Sequence, residues 1–140
     1  MSSAELTTMI KITQVVDDNK KTKLGLEMNY DVTPRVHAWG QLNLIDFSKL
    51  GEQKLVSYYI MPHYQMNLQK YLNQLKGLHK MKKVIDVAIK ILNIFKYVHC
   101  AKRTYNDLKL TNIMVNTDRK LEADPEVFLI DFGFSDKFLT

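Results

Sequence analysis

The sequence has one cysteine, Cys100, so no disulfide can form within the chain. That sets aside the small disulfide-stapled scaffolds and fits a reducing compartment. Cys100 closes an apolar helical stretch, where packing is expected rather than reactivity. No run approaches the roughly 20 consecutive apolar residues of a membrane-spanning helix. The start, Met1-Ser2-Ser3-Ala4-Glu5, lacks the apolar core of a secretory signal. By the absence of these signals, the cytosol or nucleus is the expected location and no membrane is an expected partner. Glycine is scarce at five residues, none before Gly25, so no glycine-rich phosphate-cradling loop is present. Repeats and low-complexity linkers are missing too. Positive charge is in modest excess, +5 from 20 Lys and Arg against 15 Asp and Glu. The lysines are scattered, and their one cluster, Lys76 to Lys83, reads as the solvated start of a helix. Nucleic acid is therefore not an expected partner.

What remains is a 140-residue chain of ordinary globular composition, long enough for one domain with a core. Its chemistry concentrates in Tyr105-Asn106-Asp107-Leu108-Lys109-Leu110-Thr111-Asn112 and, further on, Asp131-Phe132-Gly133. The pattern suits phosphoryl transfer, which needs positioning and charge stabilisation more than covalent work. Asp107 is placed to orient a hydroxyl and take its proton. Lys109, two residues later in an extended loop, points to the same side and is suited to neutralise the moving phosphoryl group. Asn112 offers a neutral oxygen to a divalent ion and Asp131 a charged one. Gly133 allows a sharp turn directly after them.

Asp107-x-Lys109-x-x-Asn112, followed by an apolar strand ending in Asp131-Phe132-Gly133, resembles a eukaryotic protein kinase of the serine/threonine branch. Pro34-Arg35-Val36-His37 and Asp131-Phe132-Gly133-Phe134-Ser135 are most similar to the casein kinase 1 and vaccinia-related kinase group. The resemblance implies ATP and Mg²⁺ as cofactors and protein Ser/Thr hydroxyls as substrate. It also implies an α+β, two-lobed, truncated fold: a remnant antiparallel small-lobe sheet and the start of a helical large lobe. Residues 7–61 are the expected small-lobe remnant, 62–65 the hinge, and 66–140 the large-lobe start.

Taken in order, Thr7 to Val16 is rich in Thr, Ile and Val and predicts a strand. There Lys11 resembles the kinase lysine that pairs with nucleotide phosphates. Lys21 to Tyr30 predicts a short helix whose Glu27 resembles the acid that holds such a lysine, with Asp31 as a rival. Two strands, entered at Thr33 to Gly40 and at Leu55 to Met61, predict a hairpin joined through Ser48 to Gln53. In the family the next residues grip adenine: Met61 guards the rear of the pocket, and His63 and Tyr64 lie in the hinge, with the Tyr64 backbone as the contact. Asn67 predicts a helix cap for Leu68 to Lys76, ended by Gly77. A long helix from Lys80 to Ala101 is expected to bury Met81, Ile85, Ala88, Leu92, Phe95 and Val98, widened by Val84 and Ile91. His99 near its end is expected to pack or cap. Ile113 to Val115 and Val127 to Ile130 predict paired strands that bring Asn112 and Asp131 to one site.

The departures from the family are specific. Tyr105-Asn106-Asp107 stands where His-Arg-Asp is usual. Tyr105 can fill the buried place of the His. Asn106 removes the Arg that pairs with a phosphorylated activation loop, so that form of control is not expected. Only ten residues precede Lys11 and seven follow Gly133, so the chain reads either as a kinase fragment or as a degenerate kinase. A binding or scaffolding pseudokinase is the rival function. A small-molecule kinase is a weaker one, against which Lys109 argues.

Overall fold

The computed structural model describes residues 3–22, 30–46, 50–117 and 124–138. Its first element corrects the sequence reading. Ser3–Thr22 is a helix, α1, not a strand. The β-prone threonines are accommodated because Thr8 and Thr13 donate their hydroxyls to the carbonyls of Ala4 and Met9, each four residues back, at 2.8 and 2.9 Å. Met9, Ile12 and Val16 share one face at helical spacing and are buried. Burial of that stripe outweighs the local preference for strand. Lys11 lies on the opposite, exposed side of α1, so it is not the strand lysine expected beside a nucleotide. Glu27 lies outside the described residues.

The expected hairpin is present. β1 (Ala38–Asp46) pairs antiparallel with β2 (Glu52–Ile60), running from Ala38 opposite Ile60 to Asp46 opposite Glu52. The segment before it ties α1 to the rest of the chain. Arg35 bridges Asp17 of α1 and Asp31 at 2.8 and 2.9 Å. Asp31, the rival acid, is thus engaged with Arg35. The Tyr30 hydroxyl accepts from the Val127 N–H at 3.1 Å and lies 3.2 Å from the carbonyl of the same residue. The Leu129 N–H donates to Val32 O at 2.8 Å.

After the loop at Met61 come β3 (Met66–Asn67) and α2 (Leu68–Asn73). Asn67 caps α2 as expected, its side-chain oxygen accepting from Lys70 N–H at 2.9 Å. α2 is shorter than expected, and Gly77, with φ of 62°, begins the next helix rather than ending this one. α3 (Gly77–Cys100) is the longest element. Its buried positions are Lys83, Val87, Asn93, Ile94, Tyr97 and Val98. Met81, Val84, Ile85, Ala88 and Leu92, expected in the core, are exposed instead; Phe95 and Ile91 are half-buried. The sequence carries two apolar stripes on this helix, and the described fold covers only one of them. Cys100 is exposed rather than packed. β4 (Arg103–Thr104) leads into the stretch from Tyr105 to Asn112. β5 (Ile113–Asn116) and β6 (Glu126–Leu129) pair antiparallel as expected, with β3 on the other side of β5. β7 (Asp136–Lys137) returns to pair with β4. One buried cluster runs from Met9, Ile12 and Val16 through Leu68, Tyr71, Ile94 and Tyr97 to Tyr105, Leu129 and Phe132. The architecture is α+β with antiparallel sheets, as expected.

Candidate active site

The site is built from the loop after β4 and the turn after β6, joined by Asn112. Its buried amide donates from Nδ2 to the Asp107 carboxylate at 2.8 Å and to the Asp107 carbonyl at 3.1 Å. Its own carbonyl accepts the Ile130 N–H at 3.0 Å. One residue therefore fixes Asp107 and the chain position just before Asp131. Asn112 closes a short 3-10 turn, Leu110–Asn112, directly before β5. The β5–β6 pairing places Ile113 opposite Leu129, so the two chemical stretches leave the same end of one sheet.

Lys109 Nζ lies 3.8 Å from the Asp107 carboxylate, with both on one side of the loop as their spacing predicts. Lys109 is largely exposed while the Asp107 side chain is mostly covered. Asp131 has a left-handed backbone, φ 61°, and its carboxylate accepts the Gly133 N–H at 3.3 Å. Phe132 points inward and is buried.

Tyr105 fills the buried position expected of it. Its hydroxyl donates to Ile130 O at 2.5 Å, and its ring meets Phe132 edge-on with centroids 5.2 Å apart. Burial pushes the phenol well above its ordinary range; the charges of Asp107 and Asp131 add to this, and a hydrogen bond with Asn112 opposes it. Both carboxylates are thus within electrostatic reach of one ring.

A residue the sequence reading passed over is Glu5, in the first turn of α1. The half-buried Tyr59 phenol is raised first by burial, then by the charges of Glu5 and Asp131. α1 therefore carries an acid toward the Asp131 side of the site. The Ser135 hydroxyl, 3.2 Å from Thr8 Oγ1, ties the same helix to the segment after Gly133. The signal for Glu5 was the helical spacing of Met9, Ile12 and Val16, hidden under Thr and Ile propensity.

The hinge residues follow β2. Met61 is half-buried, His63 exposed and Tyr64 buried. The Tyr64 ring packs on Phe128 at 4.5 Å, so its side chain faces protein and only its backbone is free to meet a ligand. Among the described residues, the loop and turn backbone bonds do not involve Met61, His63 or Tyr64. No cluster of three or more His, Cys, Asp or Glu suited to a metal occurs among the described residues. One amide oxygen and one carboxylate still fit a hard cation that draws its other ligands from phosphates and water.

No helix among the described residues is long and apolar enough to cross a membrane. The protein kinase domain family matches residues 3–140. Nucleosomal histone kinase 1 of Drosophila melanogaster is 31% identical over 81 residues, covering 58% of this chain and 13% of that protein. A probable serine/threonine-protein kinase of fowlpox virus (strain NVSL) is 36% identical over 52 residues, covering 37% of this chain and 16% of that protein. The chain thus spans a minor part of the relatives it matches. With the tie from Asp107 through Asn112 to the Asp131 turn, the match places this chain in the protein kinase domain family.

Proposed function

We propose that the chain is the catalytic middle of a serine/threonine protein kinase that transfers phosphate from ATP, with Mg²⁺, to protein hydroxyls. The supporting observation is the Asn112 tie, which brings the Asp107 carboxylate and the Asp131 turn to the same end of the β5–β6 sheet. Asn112 and Asp131 would hold Mg²⁺, which would supply positive charge to offset the nucleotide phosphates. Asp107 orients the acceptor hydroxyl and takes its proton. Its covered carboxylate is held in one orientation by the Asn112 amide, which favours that role. Lys109 supplies positive charge beside it. Asn112, whose amide nitrogen donates to Asp107, offers its side-chain oxygen to the cation, and Asp131 adds a charged ligand.

Adenine is gripped by hinge backbone between Met61 and Tyr64, with His63 facing solvent. Glu5 takes the helix-acid role that the family resemblance implies for Glu27, since α1 is the helix carried against the segment after Gly133. Lys11 is not the phosphate-side lysine. The motifs at Pro34 to His37 and Asp131 to Ser135 favour casein kinase 1-like substrate handling, and the cytosol or nucleus is the proposed location.

The test is a thermal shift of the 140-residue chain with ATP, in Mg²⁺ and in chelator. Stabilisation by Mg-ATP that disappears in Asp131→Asn supports the reading. No shift in the unsubstituted chain overturns nucleotide binding by this segment and favours the scaffolding rival.

A further inference from the structure

Asn106 stands where the family's Arg is usual, and its surroundings give it a different task. Its backbone is left-handed, φ 65°, a region Asn enters far more readily than most side chains. Its Nδ2 donates to Thr104 Oγ1 at 2.9 Å and to Phe134 O at 3.2 Å. A primary amide has two N–H groups, and both are used. The Thr104 hydroxyl in turn lies 3.4 Å from Asp136 O. Phe134 follows Gly133 directly. We infer that Asn106 is a positioning residue: a neutral clamp from the catalytic loop that fixes the downstream end of the Asp131 turn.

The upstream end of that turn is already held by the same loop, through Tyr105 to Ile130 O and the Ile130 N–H to Asn112 O. Asp131 is thus bracketed on both sides by residues 105–112. Beyond Phe134, the Ser135 N–H donates to Phe132 O at 3.1 Å, β7 pairs with β4, and the Phe138 N–H donates to Lys102 O at 2.9 Å. His99 lies against Phe138, ring centroids 5.5 Å apart. Every one of these contacts is uncharged. The short amide works where Arg would not: it reaches two acceptors two residues back and 28 ahead from a left-handed position. Asp in its place would keep the shape and lose both donors. The clamp's effect on cation binding rests on the kinase reading; its effect on the turn does not.

The experiment is amide hydrogen exchange on the 140-residue chain, its Asn106→Gly variant and its Asn106→Asp variant. Glycine permits the left-handed backbone and removes the amide, while aspartate keeps the side-chain shape without the donors. Expected is about tenfold faster exchange at Ser135, Lys137 and Phe138 in both variants, with Leu129 and Ile130 unchanged. Unchanged exchange at Ser135 to Phe138 overturns the inference. Equal acceleration at Leu129 and Ile130 also overturns it, since Asn106 would then support the whole sheet and not the turn. Where the parent chain shows Mg-ATP stabilisation, the Mg²⁺ needed for half the effect should rise several-fold in Asn106→Gly, with ATP binding in chelator unaltered. A parent chain without that stabilisation rejects the kinase reading and leaves the exchange result to decide the clamp.

Discussion

Among the described residues, four non-glycine positions have positive φ, and two of them, Asn106 and Asp131, lie in the stretch from Tyr105 to Asn112 and in the turn it holds. Such conformations persist where surrounding bonds over-determine them, and here those bonds are the ones made by Tyr105, Asn106 and Asn112. Tyr105→Phe removes a buried donor to Ile130 O and is expected to cost about 1–2 kcal/mol, read from urea unfolding. In an active chain that carries this segment, Asp107→Asn is expected to lower phosphoryl transfer by ~10²–10⁴ while leaving Mg-ATP binding in place. Transfer at an undiminished rate would remove Asp107 from the role of base. Tyr30 gives a pH prediction. Burial, partly offset by its bond with Val127, raises its phenol from 10.0 to about 12. The folded state therefore holds that proton more tightly than the unfolded chain. The resulting stability is complete below about pH 10 and is lost as pH rises toward 12. Denaturation midpoints of Tyr30→Phe should fall less steeply than those of the parent over that window, and equal slopes would refute the assignment.

At the scale of elements, the two misread helices share one cause. α1 reads as a strand by residue preference, yet its apolar residues recur at helical spacing and tertiary burial decides between them. The helical period of α3 is legible in the sequence, but it has apolar residues on two sides, and of the expected core residues only Val98 is fully buried. Ile94 is 1% exposed and Leu92 66%. Ile94→Ala should therefore destabilise by about 2–5 kcal/mol and Ile85→Ala by no more than about 0.5, both read from chemical denaturation. A larger loss at Ile85 would mean that its face is covered in solution. The cap at Asn67, the β1–β2 hairpin and the β5–β6 pair were all legible, because each depends on short-range chemistry: a side-chain acceptor, a turn, or two β-prone runs flanking a polar excursion.

At the scale of the whole molecule, two apolar surfaces stand open among the described residues. One is the hairpin, with Trp39, Leu42, Leu44, Ile45, Leu55 and Ile60 exposed; the other is the outer face of α3, with Leu78, Met81, Ile85, Ile89 and Leu92. Patches of this kind promote association. Sedimentation of the 140-residue chain should show concentration-dependent self-association, reduced by joint Ile85→Lys and Leu92→Lys substitution. A monomer at all concentrations would show that neither face is adhesive. The hairpin's hold on the rest of the chain is at Tyr59, which is packed against the core, while the His37 N–H bond to Ile60 O, 2.8 Å, extends its own ladder at the base. A two-stranded ribbon alone would be marginal.

The amino-acid order by itself determined the chemistry: which carboxylates, which amide and which lysine stand at spacings that phosphoryl transfer can use. Those relations are local, within a loop or across one strand pair, and side-chain type and separation are enough to read them. Only the tertiary structure decided that Lys11 faces solvent, that Glu5 acts on the Tyr59 phenol, that α3 buries Ile94 and not Leu92, and that Asn106 grips Phe134. Each depends on which of two possible faces meets another part of the chain far away in sequence. Burial free energy makes that choice after the chain has closed, and no local preference encodes it.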